Sequence, residues 1–135
     1  MKTSDKNLRN LLKINAIFSL LSGLVLVLFK HQVGALLTIS NPQILLLIGI
    51  GLFLFAGNLL YHAFNKEIKP NSIRIIIYED WTWVLGSAVL LILNPFETSS
   101  LGLALIGMVA FIVMTFALLQ TIALNQFVTS QRGFQ

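Results

Sequence analysis

IRIIIYEDWTWVLGSAVLLIL, residues 73–93, is an apolar run of membrane-spanning length that carries two acids, Glu79 and Asp80. Its uncharged part, Trp81 to Leu93, reaches only roughly 20 Å as a helix, at about 1.5 Å per residue. A hydrocarbon core of about 30 Å needs around 20 residues, so a spanning helix here has to begin near Ile73. Asp80 then lies about two turns inside the membrane. An acid at that depth is costly, and its default reading is a functional site.

The rest of the chain supports a membrane class. It has 135 residues, 56% of them hydrophobic and only 10% charged, with a mean hydropathy of +0.85; a soluble domain carries about a quarter charged residues. Four apolar segments predict spanning helices over about Leu11–Phe29, Ile44–Phe64, Ile73–Leu93 and Leu101–Leu124, followed by a polar tail at 125–135 that is expected to fray. Helix punctuation separates them: Ser40-Asn41-Pro42, Asn71-Ser72, Asn94-Pro95 and Ser99-Ser100. Pro70 and Pro95 are expected outside the helices. The fold expected is all-α, an integral membrane four-helix antiparallel bundle forming a single domain.

The formal charge of +4 and pI near 9.8 do not point to nucleic acid, because no basic stripe is interleaved with aromatics. Lys and Arg act as topology signals instead. Lys2, Lys6, Arg9, Lys13, Lys66, Lys69, Arg74 and Arg132 fall on one side of the spans, and Lys30 alone on the other. The positive-inside rule then puts both termini in the cytoplasm of a plasma membrane, the inner membrane in a bacterium. The first segment also has features of a signal peptide, with Val33-Gly34-Ala35 as a small-residue site. Its apolar stretch is longer than such peptides have, and Lys30-His31 separates it from that site. Val33 to Ile39 is expected to lie along the outer interface or to extend the first helix. The absence of cysteine excludes disulfides, thiolate metal sites and cysteine nucleophiles.

Strongly polar residues inside the spans gather in the cytoplasmic half. Asn15, Ser19 and Ser22 share one helical face; so do Gly51, Asn58, His62 and Asn65; Asp80, Ser87 and Asn94 recur every seven residues. In the fourth segment Gly107, Ala110, Met114, Ala117, Thr121 and Asn125 make a stripe of mostly small or polar residues, with Gln120 beside it. Lipid offers polar groups no partners and small residues let helices approach, so these faces are expected to turn inward. They would form a cytoplasm-facing polar pocket centred on Asp80, with ligand-binding candidates Glu79, Asn58, Asn15, His62, Trp83, Ser87, Gln120 and Thr121. Arg74 and His62 are possible charge partners of Asp80.

A carboxylate held between burial and hydrogen-bonding neighbours can bind a cation or exchange a proton with a ligand. The plainer reading makes Asp80 a helix-pinning hydrogen-bonding group, an interaction of about 0.6 kcal/mol on average in membrane proteins. Glu79, a residue shallower, can snorkel towards the headgroups. Tyr78, Trp81 and Trp83 read as an interfacial aromatic belt, or Trp83 follows Glu79 into the bundle and stacks on a cationic ligand. His62 reads as an interfacial hydrogen-bonding residue rather than a metal ligand, and His31 lies on the opposite side. Gly49-Ile50-Gly51 lies within a span and is no phosphate loop. No cofactor and no metal site is expected.

With four spans in a chain this short, the protein resembles the small multidrug resistance transporters in size and topology. That family carries its essential glutamate in the first helix; here the first span has no acid, and its residue roles do not carry over. Asp80-Trp81-Thr82-Trp83-Val84-Leu85-Gly86-Ser87, followed by Ser100-Leu101-Gly102, is similar to a motif of small uncharacterised bacterial four-span membrane proteins, a resemblance that implies the fold and no activity. Two functions follow. One is binding or transport of a small amphipathic or cationic ligand on Asp80; the other is a structural or accessory subunit, as a homo-oligomer or with a membrane-protein partner. An enzymatic reading has the least behind it: one acid pair, with no nucleophile–base set.

Overall fold

The computed structural model describes residues 3–94 and 97–132. Lys2, Pro95 and the last three residues, which entered the sequence reading, lie outside these. The described chain is all-α: α1 (Thr3–Leu28), α2 (Lys30–Leu37), α3 (Pro42–Phe64), α4 (Pro70–Leu93) and α5 (Ser100–Arg132). The four long helices, all but α2, are apolar and long enough to cross a membrane.

The helices run past the expected spans for local reasons. Asn41 caps α3, its Oδ1 accepting from the Gln43 backbone N–H at 3.1 Å, and Pro42 takes the first turn, where its missing N–H costs nothing. Pro70 likewise opens α4 instead of preceding it, so Asn71 and Ser72 are helical rather than punctuation. Asn94 ends α4 in the left-handed conformation at φ 44°, which asparagine tolerates well. Its side-chain Oδ1 accepts from the Thr98 N–H at 2.7 Å. The polar tail, expected to fray from Asn125, continues as helix to Arg132; Ala123, Leu124 and Phe127 keep its inner face buried there.

Lys30 to Leu37 forms its own short helix, broken from α1 at Phe29. Val33-Gly34-Ala35 lies inside it. α2 ends at Thr38 with φ 62°, and the Ile39 N–H returns to the Gly34 carbonyl at 2.8 Å. The segment before α5 fastens to this end: Thr98 Oγ1 donates to the Leu37 carbonyl at 2.8 Å and Ser99 Oγ to the Leu36 carbonyl at 3.1 Å.

α1 packs on both α3 and α5, and α5 on both α1 and α4, whereas α3 and α4 touch only sparsely. α1 and α3 approach closely at two facing glycines. A Cβ on Gly23 would lie 2.8 Å from a Phe53 ring carbon, and one on Gly49 2.8 Å from a Val27 methyl. The main core gathers Leu8, Leu12 and Ala16 of α1, Phe55, Ala56, Leu59 and Ala63 of α3, Ile73, Ile76 and Ile77 of α4, and Ala123, Leu124 and Phe127 of α5. Large apolar side chains elsewhere point outward, Leu54 and Ile92 among the most exposed.

Candidate functional site

Asp80 stands on the inner face of α4, in register with the core residues Ile73, Ile76 and Ile77. Only 1% of it is exposed. Asn15 comes from the matching face of α1, one turn beyond the buried Leu12, and Gln120 from α5, one turn before Leu124; both are fully enclosed. The three side chains close a triangle. Asn15 Nδ2 donates to Asp80 Oδ2 at 3.0 Å and to Gln120 Oε1 at 3.0 Å, and Gln120 Nε2 donates to Asp80 Oδ2 at 2.7 Å. Ser19, one turn along α1 and also buried, donates from Oγ to Asn15 Oδ1 at 3.5 Å.

The two carboxylate oxygens are not equivalent. Oδ2 receives two good hydrogen bonds, and Oδ1 only the long contact from Asn15 at 3.4 Å. Every donor is a neutral carboxamide, and among the described residues Asp80 forms no ion pair. Arg74 is bonded to Asn71 Oδ1 at 2.8 Å and is exposed, one turn from the start of α4. The cluster is thus one acidic group faced by neutral amide N–H donors, with the Gln120 and Asn15 amide oxygens accepting from Asn15 and Ser19 in turn.

The other candidates do not join this cluster. Asn58 and His62 sit half-buried on α3 with no hydrogen bond to any described residue; the His62 ring meets Tyr61 edge-on, with centroids 5.0 Å apart. Glu79 and Ser87 are half-buried on α4, also without a described hydrogen-bond partner. Thr121 turns back on its own helix, donating to the Ala117 carbonyl at 2.7 Å. Tyr78 and Trp83 are exposed, while Trp81 packs against the core. A groove of about 320 Å³ opens elsewhere, between α1 and α5, over Ile14, Leu119 and Ile122 with Asn7, Asn10 and Gln126 along it. Asp80 does not line it.

Sequence reasoning missed Arg9 as anything but a topology charge. Arg9 is 8% exposed, and its guanidinium grips the end of α3, Nη1 donating to the carbonyls of Ala63 (2.8 Å) and Asn65, and Nη2 to that of Lys66 (3.0 Å). Ala63 lies in the last turn of α3, Asn65 is its cap and Lys66 follows it, so the guanidinium sits where a helix leaves carbonyls unsatisfied and a cation is favoured. The available signal was helical spacing, since Arg9, Leu12 and Ala16 fall at i, i+3 and i+7. No protein-family model, curated protein or solved structure matches this chain.

Proposed function

We propose that the chain is a multi-pass protein of the plasma membrane (the inner membrane in a bacterium) with both termini cytoplasmic. On this reading it binds a small amphipathic or cationic ligand at Asp80. The long helices alternate in direction as an antiparallel bundle, a reading supported by Arg9 near the start of α1 lying on the end of α3, and by Gly23 facing Gly49. The distribution of Lys and Arg supports the orientation.

The observation that carries the ligand reading is a fully buried carboxylate, within a membrane-length helix, whose described partners are all neutral. A helix-pinning role needs only a carboxamide; an uncompensated carboxylate is expensive in hydrocarbon and calls for a proton or a cation. Asp80 Oδ1, with its single long hydrogen bond, is the atom free to take either. Binding is then an exchange: the protonated acid releases its proton to water as the ligand cation takes its place beside the carboxylate.

Titrating detergent-purified protein in weak buffer with tetraphenylphosphonium, a lipophilic cation, tests this. Proton release of at most one per cation bound, decreasing as the titration is repeated at higher pH, is expected from linkage, and none from Asp80→Asn. Equal binding by both proteins, or binding by neither, would overturn it. The closure of the triangle specifically favours a second reading, a structural or accessory subunit in which Asp80, Asn15 and Gln120 hold α4, α1 and α5 together. That reading expects Asp80→Leu, which leaves the Asn15 and Gln120 donors unpaired, to lower assembly with a stoichiometric membrane partner, and Asp80→Asn to leave no separate binding defect.

A further inference from the structure

Leu47, Gly51, Leu54, Asn58 and Tyr61 recur along α3 in alternating steps of four and three, so they share one face. That face is not the one α1 uses, which carries Gly49, Ala56, Leu59 and Ala63. Leu47, Leu54 and Tyr61 are 69%, 73% and 62% exposed, and a Cβ on Gly51 would meet nothing within 4 Å. Within this apolar stripe stands the Asn58 carboxamide. It lies about 9 Å from the end of α3 at 1.5 Å per residue, below the headgroups if α3 spans the membrane. It makes no hydrogen bond to any described residue.

A carboxamide offers two N–H donors and an acceptor oxygen, and leaving them unpaired in hydrocarbon is costly. Lipid tails supply no partner. A second Asn58 supplies a complete one, because the group is its own complement, and a residue beside a two-fold axis meets its own copy. We propose that two copies of this chain associate through α3, with the Asn58 side chains hydrogen-bonded to each other across a two-fold axis. Gly51 lets the two backbones approach, and Leu47, Leu54 and Tyr61 pack on either side. Asp80 is held by α1, α4 and α5, so this contact stands or falls independently of any ligand bound there.

The chain has no cysteine, so single cysteines report proximity cleanly. Leu54→Cys, oxidised in native membranes with copper phenanthroline, is expected to give a disulfide adduct of twice the 15.0 kDa chain mass. Ile92→Cys, 80% exposed on α4, is expected to give none. Adding Asn58→Leu to Leu54→Cys should slow the adduct about tenfold, within the range for interhelical hydrogen bonds in model membrane peptides, and Asn58→Gln should keep it. Leucine suits lipid, so the protein's own melting temperature should not fall with Asn58→Leu. No adduct from Leu54→Cys, an adduct with a different protein, equal adduct from Ile92→Cys, or indifference to Asn58→Leu would each overturn the proposal.

Discussion

Asp80→Asn keeps the size of the side chain and an acceptor oxygen facing Asn15 and Gln120, whereas Asp80→Leu strands two amides inside the fold. Each stranded donor costs about 1–3 kcal/mol. Asp80→Leu is therefore expected to melt well below the parent in detergent, followed by helical circular dichroism, and Asp80→Asn close to it. Equal melting of all three would remove the triangle as a source of stability. Arg9 makes a parallel case. Arg9→Met removes charge-assisted hydrogen bonds to three carbonyls at the end of α3, each about 1.5–3 kcal/mol before relaxation, and should lower the same transition. Arg9→Lys should restore only part of it, since one ammonium cannot span the carbonyls that a planar fork reaches. Asp80 was legible as a buried group because an acid inside an apolar run of spanning length has to find partners on neighbouring helices, and Asn15 and Gln120 because they are the polar residues at corresponding positions along their own apolar segments. Arg9 was not, since one charge near a helix start reads as a topology signal whether it meets water or a helix end. Asn58 and His62 were grouped with Asp80 because periodicity shows that residues share a face, but not which neighbour that face meets.

Helix contacts set their own tests. A Cβ on Gly49 would stand 2.8 Å from Val27 and 3.1 Å from the Gly23 carbonyl, so Gly49→Leu has to push α1 and α3 apart. Gly57→Leu, on open surface, has nothing to displace. Expression and thermal stability in detergent should fall for the first and hold for the second; equal behaviour would show that the close approach is dispensable. At the end of α2, a β-branched residue holds φ 62° at Thr38, where a Cβ costs about 1–2 kcal/mol. Thr38→Gly should therefore raise the melting temperature. Four long helices were legible because each needs about 20 apolar residues to cross a bilayer. Their amino-terminal ends, and the carboxy-terminal end of α5, were placed too far inward, because hydropathy measures the thickness of hydrocarbon; the ends at Phe64 and Leu93 were placed where the helices stop. A helix goes on through polar residues such as Asn125 and Gln126 for as long as one side has Leu124 and Phe127 to bury. α2 was not legible as an element, since eight residues between two breaks carry too little periodicity to separate helix from an interfacial stretch.

For the whole molecule, the charge distribution sets an accessibility pattern. Gln32, on α2, and Lys66, between α3 and α4, are both exposed and fall on opposite sides in the proposed orientation. With single cysteines there, a membrane-impermeant maleimide added to intact cells should label Gln32→Cys and reach Lys66→Cys only after lysis; the reverse pattern would invert the orientation. The Arg9 grip adds a constraint on how the chain is made. Its acceptors lie 54 to 57 residues downstream, so while the ribosome is still synthesising α3 the guanidinium has none of them available. The amino-terminal turns of α1 therefore cannot settle into their final place as they emerge. They wait for a later span to be completed, and a nascent chain arrested before Ala63 would carry Arg9 as an unclaimed charge, open to whatever factor attends membrane insertion.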